Sequence, residues 1–108
     1  TLFEKEILFS TDMLKRESEY FSTFLYGTAE EKIAALDWLE ANVSWDAKRL
    51  VQGLVFDSSA IVRARAAEYI ANSEFTHYLP DLKAALKNEN DEHAKETFSS
   101  AIRYMEEI

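Results

Sequence analysis

A short pattern occurs three times in this chain, at intervals of 31 and 32 residues. Its middle copy reads Val62, Arg63, Ala66, Ala67, Tyr69 and Ile70, an apolar stripe at helical spacing with a base beside its first member. The preceding copy is Glu31, Lys32, Ala35, Leu36, Trp38 and Leu39, and the following one is Ala94, Lys95, Phe98, Ser99, Ala101 and Ile102. A Lys or Arg holds the second place each time, and a mostly apolar set follows. A period of this length filled by helix-forming residues matches one helical hairpin, which cannot bury its apolar face alone and does so by stacking on its neighbours. The expected fold is therefore all-α, an α-α superhelix (solenoid) of about three hairpins.

Composition agrees with that expectation. Hydrophobic residues make up 47% of the 108 residues, enough for one folded core, while 2 Gly and 1 Pro leave few breaks for strands or long loops. The chain reads as a single domain over residues 1–108. No Cys is present, so neither a disulfide framework nor a thiolate zinc site can form, and cysteine usage does not report the compartment. A cytoplasmic location is the default expectation. No apolar run approaches the roughly 18 residues of a membrane span, and the opening Thr1 to Glu6 lacks the basic start of a signal peptide. A start at Thr1 instead of Met is what a processed or excised piece of a longer chain would show.

Punctuation divides the chain into hairpins at about 10–43, 44–73 and 75–108. Gly27 offers a left-handed helix end, and Thr28 with Glu31 three residues on makes a capping box for the next helix. The helix entering Gly27 carries Met13, Leu14, Phe21, Phe24 and Leu25; residues 2–9 are either a short separate helix or its continuation. Ser44 is an N-cap candidate for a helix carrying Trp45, Leu50, Val51, Leu54 and Val55. Asp57-Ser58-Ser59 forms a turn and cap before the Val62-Arg63 stripe. Pro80 fits the first turn of a helix that presents Leu82, Ala85 and Leu86, and Asn88 to Asp91 closes it and caps the last helix.

The run Asp57-Ser58-Ser59-Ala60-Ile61-Val62-Arg63-Ala64-Arg65-Ala66-Ala67 resembles a HEAT repeat, in which an Asp turn precedes a Val-Arg pair and two small residues open the second helix. Tyr78 to Leu86, with Pro80, is similar to the first helix of that family. The likeness is close over residues 44–108 and loose over 10–43, where Glu31 replaces the Val-like position and Tyr26 stands where Asp57 would align. It implies that the second helices line a concave face and that Arg63 and Asp57 are structural partners across neighbouring turns. Lys32, Lys95 and Glu89 would be weaker equivalents.

On such a concave face, the residues off the apolar stripes are the candidate partner-binding set: Asp37, Arg65, Glu68, Asn72, Ser100 and Tyr104, with Ala41 and Thr97 beside them. Arg65 and Glu68 could equally pair with each other at i,i+3, which makes the same face a solvated surface. As an off-stripe residue, Arg65 is expected to cost less than about 0.5 kcal/mol on truncation. Phe3, Phe9, Tyr20, Phe21, Phe24 and Tyr26 crowd the N-terminal part, either as the core of a cap or as a docking surface.

The rest of the chemistry is bland. His93 lies near Glu89 and Glu96, but a metal site needs at least three ligands, and His77 falls in another helix. There is no Gly-x-Ser-x-Gly elbow, no Gly-rich phosphate loop and no Cys nucleophile, so no catalytic residue and no cofactor is expected. The net charge of −8 opposes phosphate backbones, and only residues 45–72 are net positive, at +1. The expected function is a non-enzymatic scaffold or interaction module that takes another protein, one with a basic patch, along the groove or at the aromatic N-terminal end. It is expected to bind neither nucleic acid nor membrane. Two rivals remain open: a helical-repeat domain of a larger enzyme, and a HEAT-like nucleic-acid binder.

Overall fold

The computed structural model describes residues 19, 20, 22–42, 53 and 57–108, with Asn42 defined by its backbone. The expectations for residues 2–9, for Met13 and Leu14, for Phe3, Phe9 and Phe21, and for the Trp45 to Val55 stripe lie outside the described residues. Within them every regular element is helical and no strand occurs. Residues 19–20 and 22–26 are helical, and four α-helices follow: α1 (Ala29–Asn42), α2 (Ala60–Asn72), α3 (Leu79–Asn88) and α4 (Glu92–Glu107), with a 3-10 turn at Thr76–Tyr78 leading into α3.

The helix boundaries follow from local chemistry. Thr28 and Glu31 form the expected reciprocal capping box. The Thr28 amide donates to Glu31 Oε1 at 3.1 Å and the Glu31 amide to Thr28 Oγ1 at 3.2 Å. Those bonds, first the one from the Thr28 backbone, hold the Glu31 carboxyl below its ordinary range. Asp91 caps α4 by accepting from the Ala94 amide at 2.9 Å. Pro80 sits in the first turn of α3, where its missing N–H costs nothing.

Gly27 differs from expectation. No glycine has positive φ. The residue is small because a Cβ there would lie 2.6 Å from the Thr23 carbonyl oxygen, the same oxygen that accepts the Gly27 N–H at 2.7 Å. The left-handed position falls instead on Glu74, with φ 57°. It ends α2 in a Schellman arrangement, the Phe75 amide reaching Ile70 O at 3.2 Å and the Glu74 amide reaching Ala71 O at 3.1 Å. The turn folds Phe75 onto Tyr69, ring centroids 6.0 Å apart.

Helix α2 packs on α1 and on α4, while α3 packs on α4. Seven of its 13 residues are buried, and four of these are alanines (Ala64, Ala66, Ala67 and Ala71) that let neighbouring backbones approach closely. Tyr69, Ile70, Leu36, Leu82 and Phe98 are the largest fully enclosed side chains. The expected stripes of the second and third copies are buried: Val62, Ala66, Ala67, Tyr69 and Ile70 on α2, and Ala94, Phe98, Ala101 and Ile102 with Met105 on α4. In the first copy Ala35, Leu36 and Leu39 are buried, but Trp38 is only partly so. Its indole stacks on Tyr20, centroids 5.1 Å apart and planes 24° from parallel. Tyr20 and Phe24 thus pack against the core, whereas Leu25 and Tyr26 are exposed.

Candidate interaction groove

Two ladders of charged side chains run between the packed helices, one along α1, α2 and α4 and the other between α1 and α2. In the first, Lys32 Nζ donates to Asp57 Oδ2 at 2.9 Å, and Arg63 donates from Nε at 2.7 Å and from Nη2 at 2.8 Å to the two oxygens of Glu89. The partnership of Arg63 and Asp57 that the resemblance implied runs through the Asp57 backbone carbonyl, while the carboxylate that Arg63 holds is Glu89. Each base reaches forward, 25 or 26 residues along the chain, to the carboxylate in the loop before the next of the three helices. Arg63 keeps one bond to its own loop, from Nη1 to the Asp57 carbonyl at 2.8 Å. The acceptors are fixed from behind, because Asp57 Oδ1 takes the Ser59 amide and Glu89 Oε1 takes the amides of Asn90 and Asp91. Lys95, the third base, has a local partner in Glu92 at 3.5 Å.

Glu89 is buried, and the Arg63 hydrogen bonds lower its pKa to about 2 against the cost of burial. The same pair raises Arg63, first through those bonds. Glu89 is therefore committed to Arg63 and is not the carboxylate that would stand beside His93. Among the described residues no group of three or more His, Cys, Asp or Glu side chains converges to hold a metal ion.

The second ladder contains residues of the expected partner-binding set. Arg65 donates from Nε to Asp37 Oδ1 at 2.7 Å and from Nη2 to Glu40, and its Nη1 lies 4.0 Å from Glu68. Asn72 Nδ2 adds a bond to Glu40 Oε1 at 2.6 Å. Burial opposes the charge of Arg65, but the Glu40 and Asp37 hydrogen bonds outweigh it and raise the pKa. Asp37 and Arg65 thus serve to hold α1 against α2. The i,i+3 partner suggested by the sequence, Glu68, is the most distant of the three carboxylates.

Beside this ladder, α2 and α4 enclose a groove of about 410 Å3. Its floor is Ala71 and Ala101, both nearly inaccessible, and its rim is Glu68 and Asn72 on α2 with Glu96, Thr97, Ser100 and Tyr104 on α4. Positions 68 and 72, and 96, 100 and 104, repeat every fourth residue and so share one helix face. Four of the six expected site residues (Glu68, Asn72, Ser100 and Tyr104) meet here, while Asp37 and Arg65 do not line the groove. Tyr104 is half exposed, and its hydroxyl donates to Glu74 Oε1 at 2.9 Å, the main cause of its raised pKa.

Sequence reasoning passed over Glu40 and Glu74 and weighed Glu96 only as a neighbour of His93. Glu40 lies three residues past Asp37, so helix periodicity alone could have placed it beside Arg65. Glu74 gave no signal, because its side chain is positioned by a backbone turn that Gly or Asn would normally announce. Among the described residues, no helix is long and apolar enough to cross a membrane. No protein-family model, no curated protein and no solved structure matches this chain.

Proposed function

We propose that the chain is a HEAT-like helical-repeat module, not an enzyme, that binds another protein in the groove between α2 and α4. The reading is supported by the recurrence of one structural rung, Lys32 to Asp57 and then Arg63 to Glu89, at equivalent places in successive units. The observation that carries it is the groove itself: two small floor residues, Ala71 and Ala101, flanked by polar side chains from two helices, among which Glu96 and Ser100 are exposed. The electrostatics favour a partner with a basic patch. No Lys or Arg is among the described residues that line the groove, and Arg65, 4.0 Å from Glu68, is already paired with Asp37 and Glu40, so the carboxylates of Glu68 and Glu96 set the sign of the field.

A photo-crosslinking amino acid placed at Thr97 tests this reading, with the same group at Lys87 on α3 as the control. A protein captured from the Thr97 position and not from Lys87 is the expected result. Equal capture at both positions, or none, would count against the groove. Titration into labelled duplex and single-stranded oligonucleotides at low salt tests the rival. Submicromolar, salt-sensitive binding there would replace a protein partner with a nucleic acid.

A further inference from the structure

We infer that the groove accepts an extended segment of the partner by taking in a lysine or arginine side chain, with the aliphatic stem on Ala71 and Ala101 and the cationic head between Glu68 and Glu96. The inference rests on the protein-binding reading above and names the chemistry that would be recognised. Three features meet in one place. The floor consists of two alanines whose side chains end at Cβ, leaving apolar space above a closely packed helix pair. That floor suits the methylene stem of a long basic side chain, which buries its carbons while its charge stays at the rim.

The rim then supplies acceptors on both helices. Glu68 on α2 and Glu96 on α4 both border the groove, so one cation can be approached from two sides. Arg65 does not compete strongly for Glu68, since Nη1 stands 4.0 Å away while Asp37 and Glu40 take its nearer donors. Ser100 and Thr97 line the same wall and offer hydroxyl oxygens to a guanidinium or ammonium. An acidic segment would meet two carboxylates with no base among the described residues that line the groove. A purely apolar segment would leave both carboxylates facing hydrocarbon, which costs free energy.

The groove volume of about 410 Å3 holds more than one side chain, so neighbouring backbone of the segment lies along it as well. Tyr104 lines the groove as well, and its hydroxyl bonds to Glu74.

The test uses the whole chain, labelled with nitrogen-15, and three blocked seven-residue peptides: Ala-Arg-Ala-Lys-Ala-Arg-Ala, its counterpart with Glu at the three charged places, and its counterpart with Ser there. The expected result is saturable shifts of the amides of Glu68, Asn72, Ser100 and Tyr104 with the basic peptide alone. The double substitution Glu68→Gln with Glu96→Gln should weaken that binding about fivefold or more, whereas Glu30→Gln with Glu107→Gln, an equal change in net charge away from the groove, should change it less than about twofold. Groove shifts of equal size with the Ser or Glu peptide would overturn the lysine or arginine inference and leave the groove as a binding site. Shifts scattered over the surface, or equal losses in the two double variants, would overturn it as well, by showing only attraction to an acidic protein. If none of the peptides moves groove amides, the inference fails, and the Thr97 crosslink then decides whether the protein-binding reading fails with it.

Discussion

Arg63 holds the Glu89 carboxylate with two nitrogens, at 2.7 and 2.8 Å, across 26 residues of chain, and the acceptor side chain is almost completely enclosed. A two-point bond of this kind fixes both distance and orientation between the second and third units. It also makes Glu89 dependent on its partner, because a buried carboxylate without a cation keeps the cost of desolvation and loses its compensation. Arg63→Ala should therefore destabilise the protein by about 3 kcal/mol. The exposed pair Lys83 and Glu106, at 2.8 Å but about half accessible on both sides, should yield less than about 1 kcal/mol on Lys83→Ala. Urea denaturation midpoints compare the two; similar losses would remove the special place given to the buried rung.

Glu89 also gives the fold a defined acid limit. Its carboxyl is lowered from 4.5 to about 2 in the folded state, chiefly by Arg63. A depressed carboxylate stabilises the folded state above the unfolded pKa, and that contribution is lost as pH falls through the folded one. The window is accordingly pH 4.5 down to about 2, over which about 3 kcal/mol should disappear. Glu89→Gln removes the titrating group, so the variant starts less stable at neutral pH and loses less across that window. Parallel pH profiles for the two proteins would show that other carboxylates govern acid unfolding.

What could be read from the residues alone divides by range. The stripes on α2 and α4, the Thr28–Glu31 box and the Asp91 cap all depend on neighbours within four residues, and helical periodicity and cap chemistry act over that span. The equivalence of Lys32 and Arg63 was legible too, as a repeat, whereas Lys95, in the same place of the third copy, pairs locally with Glu92. The register of the rung was not, because a periodic pattern says which residues are equivalent and not whether a base reaches back to its own loop or forward to the next. Trp38 shows a similar limit: its place in the stripe predicts burial, yet the first unit has no unit packed before it among the described residues, and the ring stacks on Tyr20 at the edge of the core. Within the groove, Glu68, Asn72, Ser100 and Tyr104 followed from one idea, that off-stripe residues of the second helices share a face. The removal of Arg65 and Asp37 into an inter-helix ladder required the actual separation of α1 and α2.

Glu74 occupies a left-handed backbone position that costs a side-chain-bearing residue about 1–2 kcal/mol, offset in part by the bond its carboxylate accepts from Tyr104. That bond is solvent-exposed and weak, so the backbone term should win. Glu74→Gly should stabilise the protein by about 0.5–1 kcal/mol, after the greater freedom of glycine in the unfolded chain is deducted. Thermal and urea midpoints provide the check. A loss of stability would mean that the Tyr104 bond contributes more than an exposed hydrogen bond normally does.

The ladder around Arg65 narrows the expected gap between two substitutions without reversing their order. Ile70 is 1% exposed in the centre of α2, and Ile70→Ala should cost about 2–5 kcal/mol through lost burial and the cavity left behind. Position in the helical stripe alone placed Arg65→Ala below about 0.5 kcal/mol. Yet its side chain is only 18% accessible and donates to Asp37 and Glu40, so truncation leaves two carboxylates of α1 facing Glu68 with no cation between them. Hydrogen bonds to charged groups and the new repulsion together raise the expected loss to about 1–2 kcal/mol. Part of that loss should vanish at high salt, which screens the remaining carboxylates, whereas the Ile70→Ala deficit should not respond in that way. Urea midpoints for both variants at low and at high salt separate the two causes. An Arg65→Ala loss that stays the same across salt would mean the guanidinium acts by packing its stem between α1 and α2, and not by neutralising Asp37 and Glu40.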